Sequence, residues 1–209
     1  MNYADFPTKG ERTRAHIVAT AAEMFWQRSF NGVSVDEIAN AASVNKATIY
    51  RYFADKGDLA LAATRHQGIL TLEQIFEASF AAHKAPDQRL IAIYTKAYRG
   101  NIEMKQERGD LLGCPVLGLV LELGFEMPEI RREAGHIFDR VQSYFTGIAR
   151  DAIAAGRTDG APDKIGRALM QLHHGACASS RIAAEPEYIL DAGRTSLQLI
   201  GYPEAALAI

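Results

Sequence analysis

The side chains of this chain with the greatest capacity for chemistry are two cysteines, Cys114 and Cys177, and a histidine, His173, four positions before the second. That spacing puts His173 and Cys177 on one helix face, where they could supply two metal ligands, with Cys114 as a candidate third. Nothing in the sequence provides a fourth ligand or a group to orient the others, so neither a metal centre nor a cofactor is expected. Two cysteines this far apart also make no disulfide framework. Cys114 precedes Pro115 in DLLGCPVLGLVLEL, at the expected start of a helix, whose positive end favours thiolate. It can therefore sense an electrophile or oxidant, or pack as a small apolar residue. Glu122 and Glu126 share a helix face beside charged neighbours and read as a solvated pair, which does not support paired-carboxylate catalysis. No nucleophile–base pair and no phosphate loop is present, so no catalytic residue is assigned. An all-α ligand-binding or thiol-dependent enzyme with an incidental basic N-terminus stands as the alternative to the reading that follows.

A different chemistry is concentrated near the N-terminus, in KATIYRYF and its flanks. The whole chain has 23 basic and 25 acidic side chains, a net charge of -2, so any basic footprint for nucleic acid has to be local. From Ser43 to Lys56 the charged residues are Lys46, Arg51 and Lys56 against Asp55 alone. The elements that present them are legible. A helix from about Thr8 to Arg28 carries Ile17, Ala21, Met24 and Phe25 as an apolar stripe. Ser34 with Glu37 three residues later forms a capping box for a short second helix. Ala42, Ser43 and Val44 turn the chain, and Asn45 caps a third helix whose Ile49 and Phe53 face inward. Lys46, Ala47, Thr48, Tyr50, Arg51 and Tyr52 are left outward or on the flanks. Two short helices joined by a tight turn can lay the second in the DNA major groove, about 12 Å wide, where it reaches base edges and phosphates.

The segment SVDEIANAASVNKATIYRYFADKGDLALA resembles the DNA-binding segment of the tetracycline-repressor (TetR) family, and the likeness extends from about Arg12 to Ala62. Ile38, Ala39, Val44, Thr48, Tyr50, Tyr52, Phe53 and Lys56 occupy the places of the family pattern. Ile49 stands for the commoner Leu, and Ala47 where Gly or Pro is frequent, both tolerable changes. The resemblance implies that Lys46, Ala47 and Tyr50 lie near base edges, that Thr48, Tyr52 and Lys56 hold phosphates, and that Arg14 and Ser34 add backbone contacts. It also implies a homodimeric repressor that releases a double-stranded, palindromic operator when a small molecule binds.

The rest of the chain repeats its apolar residues at helical spacing, with no sustained alternation of the kind that marks strands. The fold class is therefore all-α, with about nine helices: a three-helix head over residues 1–58, its motif about 34–53, and a helical effector-binding and dimerisation domain over 59–209. Proline opens several of the later helices. At 48% hydrophobic and 23% charged residues there is material for a sizeable core. The N-terminus lacks a signal-peptide pattern and no apolar run suffices for a membrane span, so a cytoplasmic protein is expected. Bundles hold ligands among facing helices, and Tyr94, Tyr98, Cys114, Leu117, Leu121, Met170 and His173 are the candidate lining for an apolar or electrophilic effector. Small residues on the last two long helices permit close approach, which makes Gly175, Ala176, Ser179 and Leu197 the candidate dimer interface.

Overall fold

Thr8 accepts a hydrogen bond from the Glu11 amide at 3.2 Å while its own amide donates to the Glu11 carboxylate at 2.6 Å, a reciprocal cap that starts α1 (Lys9–Arg28). In the computed structural model, which describes residues 8–203 and 207, α1 is followed by α2 (Val35–Ala41) and α3 (Lys46–Tyr52). The fourth helix, α4, runs over Lys56–Thr71, continues through a π-helical stretch (Leu72–Glu77) and ends with Ala78–Ala82. Then come α5 (Pro86–Arg108), α6 (Pro115–Leu123), α7 (Pro128–Ala154), α8 (Pro162–Ala183) and α9 (Glu187–Leu199). With α4 counted as one, nine helices and no strand occur among the described residues, as the sequence periodicity predicts. Proline occupies the first turn of α5, α6, α7 and α8, where its missing N–H would have had no partner anyway. No helix among the described residues is long and apolar enough to cross a membrane.

The chain forms two compact units. The first extends to Gly68 and takes back Pro115–Gly135; the second comprises Ile69–Cys114 and the chain from His136 onward. This differs from a single boundary after residue 58, because the core of the first unit is completed from far along the chain. Ile17, Ala21 and Phe25 of α1, Ile38 of α2, Ile49 and Phe53 of α3 and Leu59 of α4 are buried together with Leu119 and Leu123 of α6 and Ile130 of α7. Each of the Ile, Leu and Phe side chains among them contributes about 1.5–3 kcal/mol relative to exposure.

The second unit is built from the distal part of α4 with α5, the rest of α7, α8 and α9. Phe76, in the π-helical stretch, is fully buried beside Phe145, with ring centroids 5.5 Å apart at near-perpendicular planes. Two glycines allow close packing. A methyl group at Gly166 would lie 2.7 Å from the Thr146 Cα, and one at Gly193 would lie 2.8 Å from the Tyr94 ring. Leu197 is completely buried in this unit, which corrects its assignment to the dimer interface: it faces the core that Gly193 also lines.

Candidate nucleic-acid interface

The geometry of the head begins with its caps. Ser34 Oγ accepts from the Glu37 amide at 3.2 Å, and the Glu37 carboxylate takes the Ser34 amide at 2.8 Å. Glu37 also receives Arg28 at 2.7 Å. These bonds to Ser34, then to Arg28, hold the Glu37 carboxyl at a pKa of about 2. Ser34, expected to contact the DNA backbone, thus has its hydroxyl engaged in capping α2. The turn that follows closes with the Val44 amide donating to the Ala39 carbonyl at 2.9 Å. Ser43 occupies it at φ 53°, a left-handed conformation in which glycine carries no side-chain penalty. Asn45 Oδ1 then accepts from the Thr48 amide at 2.7 Å and from the Thr48 hydroxyl at 2.8 Å, which caps α3 and occupies the Thr48 proton.

Ile49 and Phe53, at 1% and 2% exposure, anchor α3 in the core. Lys46, Ala47, Tyr50 and Arg51 are left exposed, with Tyr50 the most prominent aromatic of the helix. Lys46 reaches back to Asp36 on α2 at 2.8 Å, and this pairing raises its pKa. Arg51 lies over the Tyr52 ring, 4.9 Å from its centroid, and donates to the Tyr52 hydroxyl at 3.2 Å. Arg14 covers the Phe53 ring at 5.0 Å, so it stands at the α1–α3 junction and is exposed there.

Lys56 is placed differently from the phosphate-holding role that the resemblance implies. Its ammonium donates to the Phe30 carbonyl at 2.6 Å and sits 4.0 Å from the Phe30 ring centroid, and burial lowers its pKa. The same loop is also held by Glu122 of α6, which accepts from the Phe30 amide at 2.8 Å and from the Asn31 amide and side chain, each at 3.0 Å. Glu122 is therefore no solvated partner of Glu126. It is a half-buried fastener of the α1–α2 loop, separated from it by 91 positions in sequence, and local pattern carries no signal for such a contact.

The candidate effector residues are distributed over both units. Leu117 and Leu121 belong to the first, and Leu121 is 76% exposed, which removes it from a buried lining. Tyr94, Tyr98, Cys114, Met170 and His173 belong to the second. Tyr94 is completely buried and its hydroxyl shares a 2.8 Å hydrogen bond with Ser196; burial pushes its pKa up. Tyr98, Cys114 and Met170 are half-buried. Burial, with the nearby Cys114, raises the pKa of the Cys177 thiol. His173 is 5% exposed, and burial lowers its pKa to about 3.

Of the candidate dimer residues, Gly175, Ala176 and Ser179 line a broad open groove between α8 and α9, together with Ala192, Thr195 and Leu199. A side chain added at Gly175 would meet nothing within 4 Å, whereas Ala176 is already 6% exposed and partly core. Among the described residues no group of three or more His, Cys, Asp or Glu could hold a metal ion.

Comparison with known proteins matches residues 17–63 to the family described as "Bacterial regulatory proteins, tetR family". The chain is 25% identical over 181 residues to the transcriptional regulator AcuR of Cereibacter sphaeroides, covering 86% of this chain and 81% of that protein. It is 24% identical over 165 residues to the HTH-type transcriptional repressor NemR of Escherichia coli, covering 76% of each. Among solved structures, a TetR regulatory protein from Rhodobacter sphaeroides superposes with a TM-score of 0.79 at 24% identity, covering 90% of this chain and 98% of that one, a likeness of fold.

Proposed function

Since this chain belongs to the TetR family of bacterial regulatory proteins and is a DNA-binding transcriptional regulator, we propose that it is a cytoplasmic homodimeric repressor that releases a palindromic operator when a small molecule binds its second unit. The observation that carries this reading is the exposed face of α3, where Lys46, Ala47 and Tyr50 project from a helix locked to the core by Ile49 and Phe53. Two such helices, one per protomer, enter successive major grooves, with half-sites one helical turn or a multiple apart. Arg14, exposed over the Phe53 ring, is read as a contact to the DNA backbone. Lys56 acts on the head itself, by fixing the loop ahead of α2.

Tyr50→Ala and Lys46→Ala are each expected to weaken operator binding by about 1–3 kcal/mol and to relax discrimination against mutated half-sites. Gel shifts on the promoter region of the gene and its divergent neighbour test this, and wild-type affinity in both variants would remove α3 from the groove. Asp36→Asn should act in the opposite direction, because it frees Lys46 from its 2.8 Å partner and removes a negative charge from the face. A tighter complex, with the gain shrinking as salt rises, is the expected titration result.

The groove between α8 and α9 supports a dimer in which each protomer lays its small-residue stripe against the other, forming a four-helix contact. Gly175 is the position for testing it, since bulk there leaves the protomer's own core untouched. Gly175→Trp is expected to sediment as a folded monomer with operator affinity lost. A dimer that still binds operator would move the interface elsewhere.

A further inference from the structure

The segment between α5 and α6 lies along the last turns of α8. At one end Lys105 donates to the Ala184 carbonyl at 2.7 Å. At the other, a methyl group at Gly113 would lie 3.2 Å from the Cys177 carbonyl oxygen and 3.3 Å from Arg181 Cδ, so the backbone there rests directly on the helix. Between these points Leu111 and Leu112 are buried, and the Leu112 amide donates to Met104 Sδ at 3.2 Å. Gly109 and Gly113, at φ 77° and 69°, hold the left-handed conformations that bend the chain into this path. The residue after Gly113 is Cys114, and the residue it rests on is Cys177. These are the only two thiols of the chain, and they are near enough that Cys114 contributes to the raised pKa of Cys177.

We propose that Cys114 and Cys177 are a peroxide-reactive pair that closes into one intramolecular disulfide, and that this bond weakens the hold of the head on its operator. The second half rests on the regulator reading, and the chemistry does not. The roles of the two thiols divide by their surroundings. Cys114 is half-buried and immediately precedes Pro115, the first residue of the nine-residue α6, whose positive end favours thiolate. The exposed Arg181, packed on Gly113, brings a cation to the same loop. Cys114 therefore reacts first: its thiolate displaces hydroxide from hydrogen peroxide and becomes a sulfenic acid, and the hydroxide takes up the proton that the thiol released. Burial keeps Cys177 protonated, and it follows. Its sulfur bonds to the Cys114 sulfur as the sulfenic hydroxyl leaves, taking the Cys177 proton with it as water. Two thiols and one peroxide thus become one disulfide and two waters. Cys114 is also the last residue before the chain enters α6, which belongs to the head and holds the α1–α2 loop through Glu122. Drawing Cys114 onto α8 pulls on the start of that helix.

Reduced full-length protein is treated with hydrogen peroxide, alkylated with N-ethylmaleimide and weighed by mass spectrometry. The expected product takes up no maleimide, has lost the mass of two hydrogens and yields a crosslinked peptide pair containing Cys114 and Cys177. It runs as a single chain on a denaturing gel without reductant, and dithiothreitol returns both thiols. Cys177→Ser is expected to stop at a sulfenic acid on Cys114 that dimedone traps, whereas Cys114→Ser consumes peroxide at least about tenfold more slowly than the wild type. A disulfide between protomers, Cys114 driven to sulfinic acid with Cys177 still alkylatable, or both thiols surviving peroxide overturns the pair. Gel shifts on the same samples test the second half. Oxidised wild type is expected to bind operator about tenfold more weakly, with recovery in dithiothreitol and no such loss in either serine variant. A bond that forms with operator affinity unchanged overturns the control and not the chemistry. Operator binding absent in both redox states, with the bond formed, supports the pair and overturns the regulator reading instead.

Discussion

Taking the protein from pH 7 to pH 5 is expected to remove about 4 kcal/mol of stability from the second unit, through two histidines that the fold holds uncharged. Burial lowers the pKa of His173 to about 3, with the neighbouring His174 as a lesser cause, and burial lowers that of His174 to about 4. An unfolded chain binds protons at these residues from about pH 6.5 downward, while the folded chain does not. Between 6.5 and the folded values the unfolded state therefore carries more protons, so stability rises with pH and falls on acidification. At pH 5 the linkage amounts to about 2 kcal/mol for each histidine. The capped carboxylate of Glu37, held at about 2, loses its contribution only below the ordinary carboxylate value of 4.5, so the two sources of acid sensitivity occupy different windows. Urea midpoints followed by far-ultraviolet circular dichroism at pH 7, 6 and 5 check this. His173→Phe should remove about half of the slope, and a midpoint that stays level from pH 7 to pH 5 would show that both imidazoles can be protonated in place.

Glu122→Ala is expected to lower the stability of the first unit by about 2–4 kcal/mol, because hydrogen bonds to a charged group contribute about 1.5–3 kcal/mol each and are not independent. The carboxylate accepts from two consecutive amides and one side-chain amide of the α1–α2 loop, and its loss strands the half-buried amide of Phe30. Glu122→Gln keeps an acceptor oxygen and should cost less. Trp26, the single tryptophan, lies in α1 and reports on this unit by fluorescence during urea unfolding. Lys56→Met acts on the same loop from the Phe30 carbonyl, so the double variant should lose less than the two single losses added together. An unchanged midpoint in Glu122→Ala would mean that water replaces the carboxylate without loss.

Whether a feature could be foreseen depended on how far along the chain its cause lies. The caps Ser34 and Asn45, the inward pair Ile49 and Phe53 and the exposed face of α3 are set within four residues, and periodicity and cap chemistry suffice to place them. The proline-opened helices were legible for the same reason. Glu122, Leu119, Leu123 and Ile130 join the head from 115–135, and nothing in their own neighbourhood distinguishes them from residues of an ordinary amphipathic helix. Leu121 and Leu197 were misassigned for a related cause, since an apolar residue on a helix declares that some face is buried but not which partner covers it. The π-helical stretch has no composition of its own, and the engagement of Lys56 with Phe30 depends on a loop 26 positions earlier.

The discontinuous make-up of the first unit bears on how this protein could be recombined. A fragment ending at Gly68 would carry the recognition helix but present Ile17, Phe25, Ile38 and Leu59 without the Leu119, Leu123 and Ile130 that complete their packing. Such a fragment should be prone to self-association. A chimera that borrows a head from one relative and a sensing part from another by a single crossover breaks the same interface, because the donor's 115–135 segment would meet a foreign partner. Three junctions, at 68/69, 114/115 and 135/136, exchange the whole module. Swaps made that way should retain the packing of the whole first unit, and with it the operator choice of the parent that supplies it.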